Sequence, residues 1–351
     1  MHIYRAGLSF AVTFLAAWLG ARHADACTTF VHMVDGKVAI GRNYDWDMGQ
    51  GLVIVNKRGV AKQAIPIGTG DRPLRWRSQH ASVTFNQYGR EMPNGGMNDA
   101  GLVIEVMWLN DSVFPPADAR PAVNELQLVQ YLLDSFATVA EVTQAMREVR
   151  VVSLYGKLHY LVCDRSGTCA AVEFLDGKLV VSPDARALAN STYAESAQAL
   201  KKHGKRPMPK GSRSLERFVR ASMLTASPPR KGEDAPATVF TVLDEVAQRD
   251  LTQWNLVYLP AEQRVYFRTR TNRRVKFLDL GRLDLSCGKP VKVLDIDADQ
   301  EGDVSTRLGD YTEATNAALV AKSLAPIKAA LPPAAGELLA RYPALLPCTA
   351  P

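Results

Sequence analysis

Residues 24–46 read ADACTTFVHMVDGKVAIGRNYDW. Two strand-like runs, TTFVHMV and KVAIGRN, flank Asp35-Gly36, a dipeptide that accepts the positive φ values a tight two-residue hairpin turn requires. The stretch predicts a β-hairpin whose first strand starts one residue after Cys27. Upstream lie a basic start at Met1–Arg5, thirteen mostly apolar residues from Leu8 to Gly20, and small residues at Ala24 and Ala26. Together these are the three parts of a secretory signal peptide. The apolar run is shorter than the roughly 20 residues needed to cross a bilayer. Cleavage after Ala26 is expected, giving a periplasmic or secreted chain that begins at Cys27.

A first-residue cysteine carries a thiol and a free α-amine on one skeleton. The amine has an ordinary pKa of about 7.7 to 8.0 and the thiol one of about 8.5, so the amine can act as base for its own side chain, directly or through one water. The alternative use of such a cysteine is as the lipid anchor of an exported binding protein. That pattern wants a larger aliphatic residue three places before the cysteine, where Ala24 stands. On the second hairpin strand, Arg42 and Asp45 return towards Cys27 when the strands pair back from the turn. A cation there lowers a thiol pKa and a carboxylate holds an amine. Taken apart from Cys27, the two would read as an ion pair at a strand end.

Residues 27–351 are long enough for one large domain, and a chain with 47% hydrophobic and 22% charged residues builds a substantial core. The net charge of +6 is modest. Its densest stretches, Lys201–Arg213 and Arg268–Arg274, read as solvated loop or strand faces, so no nucleic-acid partner is expected. The sequence carries no zinc spacing, Walker loop or dinucleotide glycine fingerprint, and neither metal nor cofactor is expected. Beyond the signal segment no membrane contact is expected, and a homo-oligomer is left open. Among five cysteines, Cys163 and Cys169 flank a hairpin turn, and Cys287 and Cys348 are placed to close the C-terminal region, which leaves Cys27 as the odd one. Four histidines follow the signal segment, His32, His80, His159 and His203. A cysteine peptidase of Cys–His type, visible only in a fold, is the rival enzyme.

Strand-like LVIVNKR, SVTFNQY and GLVIEVMWL follow the first hairpin. Residues Asn124–Arg150 have helical spacing, with Thr138 and Glu141 as a capping box between two helices. Strands run from Leu158 to Ser182, helical SLERFVRASMLTA and TVFTVLDEVAQ flank the break SPPRKGEDAP, and three strands follow from NLVYLP to RVKFLDL. Sheet, helix pair, sheet, helix pair, sheet predicts two sheets with helices outside them.

Five motifs in order then carry a resemblance: CTTF at Cys27–Phe30, GRNYDW at Gly41–Trp46, GMNDAGL at Gly96–Leu102, ANS at Ala189–Ser191 and ERFVRAS at Glu216–Ser222. The sequence resembles the choloylglycine hydrolase family, which includes bile salt hydrolases and penicillin V acylases among the N-terminal nucleophile hydrolases. The resemblance implies an α+β fold, a four-layer αββα sandwich of two antiparallel sheets. It also implies hydrolysis of a linear, non-peptide amide of a small N-acyl substrate such as penicillin V, an acyl-homoserine lactone or a conjugated bile salt. Cys27 matches the nucleophile, Arg42 and Asp45 the pair beside it, Asn190 an oxyanion donor, and Arg217 the arginine of the late helix. The second oxyanion donor is a backbone N–H that falls on Trp108, where bile salt hydrolases tend to carry asparagine and several penicillin acylases tyrosine. That change, with the short segment between Asn190 and Arg217, points to a Gram-negative-type branch. Asn190-Ser191-Thr192 also fits an N-glycosylation acceptor, a use incompatible with buried oxyanion duty.

Overall fold

The computed structural model describes residues 27–66, 70–227, 232–331 and 334–349. The expected signal segment, residues 1–26, lies outside them, as do residues 228–231 of the proline-rich break. In chain order the hairpin strands β1 (Thr28–Val34) and β2 (Lys37–Asp45) are followed by β3 (Leu52–Asn56), β4 (Ser82–Asn86), β5 (Pro93–Asn98) and β6 (Val103–Trp108). Helices α1 (Gln127–Ser135) and α2 (Val139–Glu148) lead to β7 (Leu158–Cys163), β8 (Cys169–Leu175) and β9 (Lys178–Pro183). Next come α3 (Tyr193–His203), α4 (Ser214–Thr225) and α5 (Ala235–Glu245), then β10 (Thr252–Leu259), β11 (Arg264–Thr269) and β12 (Lys276–Asp279). Helices α6 (Glu313–Leu324) and α7 (Ala335–Arg341) follow.

Asp35 and Gly36 have φ of +49° and +73°, the turn the dipeptide predicts, and β1 and β2 pair antiparallel from Val34↔Lys37 to Thr28↔Asn43. This hairpin sits inside a seven-stranded sheet ordered Ala187–Leu188, β1, β2, β10, β11, β12, Gly302–Asp303, antiparallel save for the last pairing. The second sheet has nine strands, ordered β9 through β3 and continuing to Lys292–Asp295 and Gly309–Asp310, all antiparallel.

Strand parity sorts the side chains into layers. Along β2, Val38, Ile40 and Tyr44 enter the core between the sheets, while Ala39 faces the outer layer of α4 and α5 with Phe30, Phe218 and Leu243. Gly41 shares that outer face: a Cβ there would lie 2.6 Å from the Phe30 ring and 2.7 Å from Val239, so the glycine permits the close seat of α5. Against the other sheet, Leu128, Leu132, Val142 and Met146 of α1 and α2 pack on Ile104, Val106 and Tyr160. The result is the expected four layers, αββα.

Thr138 caps α2 with Glu141 closing the box, as the spacing predicts. Both expected cysteine pairs are bridged, with Cα atoms 4.1 Å apart at Cys163–Cys169 and 5.5 Å at Cys287–Cys348, and Cys27 is free. Strand β5 and helices α3, α6 and α7 were not expected from the sequence. Among the described residues no helix is long and apolar enough to cross a membrane.

Candidate active site

Cys27 stands at the head of β1, buried, with the end of β2 beside it. Its backbone nitrogen donates to Asp45 Oδ2 at 3.0 Å, and its Sγ lies 3.4 Å from Arg42 Nη2 and 3.7 Å from Asp45 O. The hairpin register thus brings together the three residues that the sequence places on it. Thr252 Oγ1, on the adjoining strand β10, donates to Asp45 Oδ1, and Gln248 Nε2 donates to Oδ2 at 3.2 Å. Sequence reasoning missed both, because nothing in a sequence marks a contact that crosses about two hundred residues.

Parity turns Arg42 into the space between the sheets, where its guanidinium meets Glu105 Oε2 of β6 at 2.9 Å and donates to Val106 O. Tyr258 of β10 donates to the other oxygen of Glu105. Gly95 lies opposite Glu105 on β5, and a Cβ there would collide with the carboxylate, so this glycine of the unread strand makes room for the charge. Burial pushes Glu105 up to about 7, with Arg42 and Tyr258 opposing it. At Cys27, burial likewise pushes the thiol up; Arg42 pulls it down, Asp45 raises it and Arg217 lowers it.

Arg217, fully buried in the first turn of α4, ties the remaining parts together. Its Nη1 donates to Cys27 O at 2.6 Å and to Thr28 Oγ1, its Nη2 donates to Asn190 Oδ1 at 2.8 Å, and it lies 3.8 Å from Asp45 Oδ2. A guanidinium only donates, so it fixes Asn190 with its oxygen towards Arg217 and its NH₂ towards Trp108 O, 2.8 Å away. Asn190 N also donates to Ser214 Oγ at 2.9 Å. A side chain engaged on both ends and nearly buried leaves no room for a glycan.

Trp108, at the end of β6, pairs opposite Leu158, and the neighbouring ladder bond runs from Leu109 N to Lys157 O at 2.8 Å. Antiparallel bonds alternate, so Trp108 turns its own N–H and C=O away from β7, towards the side on which Asn190 bonds its carbonyl. Its ring lies 6.0 Å from Trp46 and 6.0 Å from Tyr155, and it lines an apolar cavity with Cys27, Tyr44, Tyr88 and Val106. Asn190 lines a second, polar groove with Asn110, Asp111, Ser191, Arg213 and Glu216.

The Cys–His rival finds no support in the histidine positions. His159 bonds Glu173 Oε1 at 3.1 Å and Ala189 O at 2.8 Å, steadying the strand end before Asn190, and His80 pairs with Asp99. Among the described residues no group of His, Cys, Asp and Glu side chains comes together as metal ligands do.

The four layers, with a thiol held between an arginine and a carboxylate at the head of β1, are the fold of the N-terminal nucleophile hydrolases. Residues 27–202, half of the chain, match the linear amide C–N hydrolases of the choloylglycine hydrolase family, and the chain belongs to that family. A penicillin V acylase from Pectobacterium atrosepticum is 28% identical over 240 residues, which span 60% of this chain and 63% of that protein. The structure of a penicillin V acylase from Agrobacterium tumefaciens, 28% identical, superposes over 82% of this chain and 98% of its own with a TM-score of 0.73. The conjugated bile acid hydrolase of Clostridium perfringens shares the fold at 16% identity, with a TM-score of 0.65 over 79% of this chain and 98% of its own.

Proposed function

We propose that the chain is exported, cut after Ala26, and hydrolyses the amide of a small N-acyl substrate with an apolar acyl group, penicillin V being the first to test. The observation that carries this reading is the contact of Cys27 N with Asp45 while Arg42 faces Cys27 Sγ, beside an apolar cavity. Cut after Ala26, that nitrogen is an amine held by a carboxylate. It takes the thiol proton, directly or through one water, and the thiolate forms a bond to the acyl carbon. The Trp108 N–H and Asn190 Nδ2 stabilise the oxyanion. Collapse breaks the C–N bond as the ammonium passes its proton to the leaving nitrogen. Water, deprotonated by the amine, then attacks the thioester, the acid departs, and the thiol regains its proton.

The apolar cavity suits the acyl group and the polar groove beside Asn190 the amine, which fits penicillin V, an acyl-homoserine lactone or a conjugated bile salt. The two penicillin V acylases among the relatives favour the phenoxyacetyl amide. The test is the exported protein against a panel of these three amides, with mass spectrometry of its N-terminus. A free N-terminal cysteine and amide cleavage lost in Cys27→Ser are expected. Full activity in a chain that still carries residues before Cys27, whose nitrogen is a non-basic amide, would overturn the mechanism. A diacylglyceryl cysteine without amide cleavage would establish the anchor instead.

A further inference from the structure

Helices α6 and α7 lie beyond residues 27–202 that match the family, and Leu319 of α6 packs on Leu52 and Ile54 at the outer face of β3. Together with the turn Ala325–Ala330 that follows α6, they supply a wall of the cavity at Cys27: Leu324 of α6, Ile327 of the turn and Leu339 of α7 share it with Tyr88, Met92 and Leu154. The helix pair is fastened to the rest of the molecule by specific contacts. Asn316 Oδ1 accepts from Arg90 N at 2.7 Å on the β4–β5 loop, while its Nδ2 donates to Ala340 O at 3.0 Å, joining α6 to the end of α7. Val320 packs where a Cβ on Gly89, at φ +105°, would lie 2.7 Å away. Tyr342 OH donates to Gln63 O at 2.6 Å, Ala61 N to Pro347 O at 3.0 Å, and Thr349 N to Gly59 O at 2.8 Å, next to the Cys287–Cys348 bridge. A wall so tied is rigid, and a rigid apolar wall discriminates by length.

We infer that α6, the turn Ala325–Ala330 and α7 are the specificity-determining end of the acyl cavity, and that Leu324, Ile327 and Leu339 set the length of the acyl chain accepted. The inference rests on Cys27 as the acyl-accepting nucleophile. One methylene that fits or fails to fit an apolar pocket changes kcat/KM by roughly 10- to 200-fold. The experiment measures kcat/KM for straight-chain N-acyl amides of one amine, from short to long, on the exported enzyme. Ile327→Ala is expected to raise the longest substrate relative to the shortest by about tenfold or more, and Ile327→Trp to depress the longer substrates by a similar factor while sparing the shortest. Leu324→Ala supplies a third, buried variant, with thermal unfolding and the titre of the Cys27 thiol recording that each protein is folded. Active variants with the wild-type order of substrates would overturn the wall alone. A wild-type enzyme that cleaves penicillin V but none of the series would likewise overturn the wall alone, and one that cleaves neither would overturn the nucleophile reading and the wall with it.

Discussion

Glu105 carries a charge into the apolar space between two sheets, a placement that costs several kcal/mol unless partners surround it. Arg42 and Tyr258 from the facing sheet are those partners, and Gly95 leaves the room. Because the fold raises Glu105 to about 7, the folded state binds its proton more tightly than the unfolded chain does. The stabilisation is complete below the ordinary carboxyl pKa of about 4.3 and is lost as pH rises through about 7. Glu105→Gln should therefore flatten the decline in unfolding free energy between about pH 5 and 7; an unchanged slope would show that another group causes it. With the carboxylate gone, Arg42 acts on the thiol uncompensated, so the pH profile of Cys27 alkylation should move down. On the proposed mechanism Asn190 offers a separate test, because an oxyanion donor contributes about 2.7 to 4 kcal/mol to the transition state. Asn190→Ala should lower turnover about a hundredfold or more with the fold kept, whereas Trp108→Phe, which leaves the backbone donor, should act mildly and according to the acyl group.

At the scale of elements, what could be read depended on whether the signal was local. The Asp35-Gly36 turn and the Thr138–Glu141 box announce their hairpin and helix because the residues that decide the geometry are adjacent to it. Strand β5, PNGGMN, is rich in types that strands avoid, and distant contacts explain them: Gly95 leaves room for Glu105, a Cβ on Gly96 would lie 2.5 Å from Val83 O, and Asn98 Nδ2 donates to Leu133 O at 2.8 Å. Thr192 shows one residue with two readings: it completes the acceptor pattern at Asn190, yet it caps α3 with Glu195 closing the box. The caps of α3, at Thr192, and of α6, at Thr312, are likewise local signals in the sequence. The two disulfides bear on elements of unlike size. Cys163–Cys169 pins one hairpin across 6 residues, and Cys287–Cys348 closes 61. Loop entropy predicts that Cys348→Ser costs roughly 2 kcal/mol more than Cys169→Ser in denaturant unfolding. The reverse order would locate the main effect of the bridges in the folded state.

For the whole molecule, the pairing of four cysteines predicts a single titratable thiol in the native oxidised protein, Cys27; three or more reactive thiols would contradict it. The succession of strand runs and helix pairs was legible along the chain because each run is local, but the joining of β2 to β10 in one sheet was not. Nor was the closing of the site, because it joins pieces from opposite ends. The Cys27–Asp45 contact spans 18 residues, but Arg217 reaches Cys27 across 190 and Thr252 reaches Asp45 across 207. Hairpins close within microseconds, while partners so distant along the chain meet late in folding. The hairpin sets the thiol beside Arg42 early, whereas Asp45 is braced and Asn190 oriented only once β10 and α4 have docked. On the proposed mechanism, chronology acts as a safety catch: the nucleophile is armed only in a molecule that has finished folding.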